Sequence, residues 1–174
     1  NVGRELLVTS ISRQENMMTG EVTTSQSELT LNPAQGEVDN ILIDPLRQWM
    51  YVVNGGQYVD VLSLRARGEL NGHYKVVAAK DATVTASNLM LGGISLIIGD
   101  SQGGLQQWFM VRGNGKPALT PVRSFDQQAG EAIQLIQPEE RRKVFLTTDA
   151  DGYLGIYNST AHNNLLVEPL DKQP

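Results

Sequence analysis

Hairpins recur along this chain at a nearly constant interval, and that period limits the folds open to it. "WMYVV" (49–53) leads through "NGGQ" into "YVDVLSL" (58–64). "ISLII" (94–98) leads through "GDSQGG" into "LQQWFMV" (105–111), and "KVFLTT" (143–148) leads through "DADG" into "YLGIY" (153–157). Asn-Gly and Asp-Gly steps beside apolar runs mark tight turns, because primed turns need the positive φ that glycine reaches without strain. Gly56, Gly103 and Gly152 hold equivalent turn positions, 47 and 49 residues apart.

Each hairpin is flanked by two further runs. Upstream, "ILIDPLRQWMYVV" (41–53) and "IQLIQPEERRKVFLTT" (133–148) share one order: apolar run, proline, charged turn, apolar run. Pro45 and Pro138 lie 93 residues, two periods, apart, while the middle unit "TVTASNLMLGGISLII" (83–98) has no proline. Downstream, "YKVVAA" (74–79), "ALTPVRSF" (118–125) and "LLVEPL" (165–170) supply a last strand. Four strands in about 47 residues is the length and content of a β-propeller blade. The expected fold is therefore all-β, a partial β-propeller of about three and a half four-stranded blades. Residues 35–80, 81–126 and 127–174 form three blades. Residues 1–34, with "ELLVTSI" (5–11) and "GEVTTSQSELTL" (20–31), supply the outer strands of a preceding one. A β-sandwich is the competing fold, and the period favours the propeller. The Trp-Asp mark of WD40 blades is missing: Trp49 precedes Met50 and Trp108 precedes Phe109. Trp49, Trp108 and Tyr157, with Tyr58, Phe109 and Phe145, fall on strand runs, where packing between blades accounts for them.

Composition removes several function classes. A net charge of −5 over 174 residues, with no basic run longer than Arg141-Arg142-Lys143, argues against a nucleic-acid surface. The chain has no cysteine, which excludes disulfides, thiolate nucleophiles and Cys-zinc sites. The longest apolar run, Leu89 to Gly99, has 11 residues including three glycines, too short for a membrane helix of about 20. The chain starts at Asn1, almost directly in a strand-like run, and reads as a piece excised from something longer.

Chemical motifs fail in turn. The only Gly-Lys pair, Gly115-Lys116, has Met110 where a phosphate-binding loop needs glycine, and Pro117 follows it. "GDSQGG" lies between strands, with no helix N-terminus to receive a phosphate. "DADG" starts like a calcium loop, but Tyr153 and Thr160 occupy its fifth and twelfth positions, so it reads as a hairpin turn. His73 and His162 stand 89 residues apart without ligand spacing and read as surface loop residues. "GGISLI" lacks the closing glycine of a nucleophile elbow. Asp44, Asp60, Asp100 and Asp149 read as turn aspartates near strand ends, and Glu139 to Lys143 as a solvated turn. Asn158-Ser159-Thr160 is a formal glycosylation sequon. No catalytic residue, metal ligand or cofactor site is expected.

Two stretches carry a family resemblance. "NLMLGGISLIIGDSQGGLQQWFMVR" (88–112) and "SFDQQAGEAIQLIQPEERRKVFLTTDADGYLGIYNSTAHNNLLV" (124–167) resemble the extracytoplasmic insert of a group of bacterial phosphate ABC-transporter permeases. The resemblance covers about half the chain; the first 80 residues share only the repeat pattern. It implies a periplasmic domain of an inner-membrane protein that acts by docking, sensing or scaffolding, with the periplasmic phosphate-binding protein as a partner and no catalytic residue. Two other classes compete: a propeller enzyme such as a quinoprotein or lactonase-like hydrolase, and a propeller scaffold for outer-membrane assembly. An enzyme of that class gathers polar or metal-binding residues from several blades at its channel, and no Asp, His or Glu recurs at one position of all three blades here. An arc of three and a half blades also leaves open faces, which predicts a homodimer.

Overall fold

The computed structural model describes residues 6–31, 37–54, 56–65, 68–125, 130–139, 141–161 and 164–170. The chain is all-β. β1 (Leu6–Glu15) and β2 (Val22–Leu31) form a two-stranded antiparallel hairpin. Three four-stranded antiparallel meanders follow. The first is β3 (Val38–Asp44), β4 (Trp49–Asn54), β5 (Tyr58–Ser63) and β6 (Glu69–Lys75). The second is β7 (Val84–Leu89), β8 (Leu96–Asp100), β9 (Leu105–Val111) and β10 (Ala118–Ser124). The third is β11 (Ile133–Pro138), β12 (Val144–Asp149), β13 (Tyr153–Asn158) and β14 (Asn164–Pro169). β7 touches both β3 and β11, and β6 touches β10, so the first strands line one side of the stack and the last strands the other. This is the arrangement of a partial β-propeller.

The stacking follows from strand patterning. β4, β5 and β8 are apolar on both faces and buried on both, as strands must be when another sheet covers each side. Tyr51, Val53, Val59 and Val61 of the first sheet meet Leu96, Ile98, Trp108 and Leu119 of the second. The opposite face of the second sheet, with Ile97 and Leu105, meets Ile133, Ile136, Phe145 and Tyr157 of the third. There Phe145 stacks on Tyr157 at 5.2 Å and Phe125 stands edge-on to both. On the far side of the first sheet, Met50, Val52 and Leu62 pack under Leu6, Val8 and Leu29 of the hairpin. Each such side chain contributes roughly 1.5–3 kcal/mol of burial.

Two strand assignments in the four-stranded sheets differ from expectation, and β1 runs on to Glu15, past the expected end at residue 11. The last strand of the first sheet is 69–75, not 74–79. Gly68, at φ 76°, donates its N–H to the Ser63 carbonyl and turns the chain back early; Val76 and Val77 are buried in the link that follows. In the second sheet β8 begins at Leu96 rather than Ile94. Leu91–Gly93 form a single 3₁₀ turn with Gly92 and Gly93 at φ 66° and 65°, where Pro45 and Pro138 follow or end the first strand of the other sheets. A Cβ on Gly93 would lie 2.7 Å from the Asp44 carboxyl carbon, so the close approach of the first two sheets also requires glycine there.

Candidate functional site

The first strand of every four-stranded sheet carries a bulge near its start. Pairing skips Asp39 in β3, Thr85 in β7 and Gln134 in β11, positions 46 and 49 residues apart. A bulge bends the strand and re-aims a side chain. All three bulged residues line one open cleft of about 280 Å³, together with Asn40, Ser87, Asn88 and Gln137. The walls are tied together: Asn40 Nδ2 donates to Ser87 Oγ at 2.8 Å, and Asn88 Nδ2 donates to the Ile136 carbonyl at 2.9 Å. Asp39 accepts the Gly56 N–H at 3.1 Å. The cleft therefore offers fixed hydroxyl, amide and carboxylate groups, suited to hydrogen-bonding a polar ligand or a polypeptide.

A second cleft, of about 380 Å³, lies where the first strands end, among Ile43, Pro45, Leu46, Leu89, Met90 and Pro138. Its wall is apolar, with Leu46 71% exposed. Arg47 Nη1 braces it, donating to Asp44 Oδ2 at 3.2 Å and to the Gly92 carbonyl of the neighbouring sheet at 2.8 Å.

The turn glycines sit at φ 69° (Gly56), 82° (Gly103) and 83° (Gly152). Two of their turns share one hydrogen-bond plan. Asp100 Oδ1 accepts from the N–H groups of Gln102 and Gly104, at 2.9 and 2.8 Å. Asp149 Oδ1 accepts from those of Asp151 and Tyr153, at 3.0 and 2.9 Å. Both carboxylates are engaged by their own turns. Asp44 does the same for the N–H groups of Leu46 and Arg47. Of the aromatics, Trp49 is half-buried against the first inter-sheet core, Trp108 is buried within it, and Tyr157 is buried in the second.

Asp60 and His73 depart from the reading as turn and loop residues. Asp60 lies inside β5 and is fully buried, and His73 lies on β6 as its direct cross-strand partner. His73 Nδ1 is 2.5 Å from Asp60 Oδ1, Asn54 Nδ2 donates to Asp60 Oδ2 at 2.7 Å, and the His73 ring stacks on Tyr58. The missed signal is the polar centre of "YVDVLSL", where an aspartate at an inward position demands a partner one strand away. His162 lies outside the described residues. Tyr51, buried beside Asp44, has its phenol pushed up to about 12 by desolvation first and by that carboxylate second. Among the described residues, no three His, Cys, Asp or Glu side chains gather as a metal site, and no helix is long and apolar enough to cross a membrane.

No protein-family model matches this chain, and no curated protein matches it. Solved structures do. The structure of U3-55K superposes with a TM-score of 0.67 over 82% of this chain and 42% of its own, at 10% identity. The crystal structure of the RRP9 WD40 repeats gives 0.68, 82%, 41% and 10%. At that identity the likeness is one of fold, a β-propeller. This chain spans about two-fifths of the length of either.

Proposed function

We propose that this protein is an interaction scaffold: an arc of propeller blades that recognises another protein through the open faces of its terminal sheets, without chemistry of its own. One observation carries the reading: among the described residues, both end sheets of the stack bear apolar side chains that no further described sheet covers. On the third sheet Leu146, Ile156 and Leu166 form one row across β12, β13 and β14, with Leu146 37% and nearby Leu135 49% exposed. At the other end, the hairpin covers only part of the first sheet. It leaves a space of about 700 Å³ walled by Val8, Leu29, Ile43, Pro45 and Leu64, with Ser27, Glu28 and Gln48 at its polar side. Covering such surface gains roughly 25 cal/mol per Å², which makes it a docking surface.

In the finer reading, residues 35–80, 81–126 and 127–174 are three blades and 1–34 the outer half of a preceding one. The whole is the extracytoplasmic domain of a phosphate ABC-transporter permease, placed in the periplasm and docking the phosphate-binding protein. The resemblance of residues 88–112 and 124–167 to that group's insert supports it. Titration calorimetry of this domain with the periplasmic phosphate-binding protein, with and without phosphate, tests it. Binding at about micromolar Kd is expected. No heat at about 100 µM protein, a regime that still detects weak complexes, would remove that partner.

A further inference from the structure

The β1–β2 hairpin does more than cover the first sheet. Its strands have ten residues each, against five to seven in β3 to β14. Its apolar contacts with the first sheet come from Leu6, Val8 and Leu29, and every side chain from Ile11 to Glu28 is exposed. Half of the free part is hydroxyl and amide residues, with Ser12 Oγ and Ser25 Oγ 2.6 Å apart across the strands. At its far end stand Met17 and Met18, 98% and 96% exposed.

The turn that carries them is closed without their help. Asn16 Oδ1 accepts the N–H groups of Met18 and Thr19, at 2.9 and 3.3 Å. The Asn16 N–H donates to the Glu21 carbonyl, and Gly20, at φ 70°, donates its N–H to the Asn16 carbonyl. Asn16 and Gly20 meet the needs of the turn, and any polar residue would serve at 17 and 18. Two adjacent methionines on a polar stalk are placed for burial in something else. The thioether chain adapts to irregular apolar cavities. The charges beside the tip choose the occupant: Glu15 and Glu21 flank the turn, and Arg13, two residues below Glu15, leaves the tip net negative. An anionic membrane surface repels that pair, whereas a rim of Lys or Arg complements it.

We propose that the Met17-Met18 tip inserts into a concave apolar socket with a basic rim on a partner protein. This holds whichever protein covers the blade faces.

The test places a benzophenone amino acid at Met18 in the protein expressed in its host cell, maps the photo-adduct, and then measures affinity for the mapped partner. The adduct is expected in an apolar concavity flanked by Lys or Arg. Met17→Ser/Met18→Ser and Glu15→Lys/Glu21→Lys should each weaken binding about tenfold or more, and Met17→Leu/Met18→Leu should stay within about threefold. Thermal melts should match the parent. Adducts only to lipid or to a second copy of this chain, no adduct at all, or affinity unchanged in the serine and lysine variants would overturn the proposal.

Discussion

His73 Nδ1 lies 2.5 Å from Asp60 Oδ1, joining β6 to a carboxylate that is fully buried in β5. The pair is a structural clamp, because a buried charge is tolerated only when its hydrogen-bonding capacity is met. His73→Ala should lower stability by about 1–3 kcal/mol, and His73→Gln, which keeps a donor, should recover part of it. Urea denaturation gives the answer; an unmoved midpoint for His73→Ala would show that the carboxylate does not need the ring.

Gly152 has open space around it: a Cβ there would meet nothing within 4 Å. Any penalty must come from its backbone, held at φ 83°. Gly152→Val should therefore destabilise by about 1–3 kcal/mol. A thermal melt superimposable on the parent's would mean that the β12–β13 turn relaxes freely.

Tyr51 should give the fold an alkaline limit. Its phenol titrates at about 12 in the folded chain against 10.0 when free. Between those values the folded state holds a proton that the unfolded state has released, so stability falls as pH rises. The contribution is complete below pH 10 and gone above about 12. The loss attributable to this group is about 2–3 kcal/mol. Comparing urea midpoints of the parent and Tyr51→Phe near the two limits should show the parent losing more; parallel losses would exclude Tyr51 as the cause.

Self-association of these 174 residues by themselves should follow from the open ends, which neighbouring blades of a longer parent would cover. Sedimentation equilibrium at tens of micromolar protein is expected to give a species of twice 19.1 kDa. Leu146→Glu, on the bare row of the third sheet, should return it to monomer. A parent that sediments only as monomer would show that two copies do not cover each other's faces.

Inorganic phosphate should not bind tightly. In "GDSQGG" the Asp100 carboxylate already takes the N–H groups of Gln102 and Gly104 and would repel an anion. Calorimetric titration should show no micromolar site, and finding one would require a different locus.

The hairpins were legible because their signal is local: a turn residue with positive φ between two apolar runs, repeated. Gly56, Gly103 and Gly152 mark those turns, and the strands they join begin and end within about two residues of expectation. β6 was not legible, since Gly68 turns the chain before the apolar "VVAA", whose first two residues are buried outside any strand. The cleft was legible only afterwards. Asp39, Thr85 and Gln134 share no side-chain type, and only the pairing skip makes them equivalent. Asp60 and His73 likewise meet through register, which sequence spacing does not disclose.

Three asparagine ties between sheets span one period almost to the residue. Asn40 reaches Ser87 across 47 residues, Asn71 reaches the Pro117 carbonyl across 46, and Asn88 reaches the Ile136 carbonyl across 48. The connections are therefore modular in a genetic sense. Duplicating or deleting one whole period hands each surviving amide a neighbour at the distance it is built for, so such a chain can grow or shrink by complete blades. An insertion of half a period inside a sheet would separate every tie that crosses it, and length change in fractions of a blade is closed to this architecture.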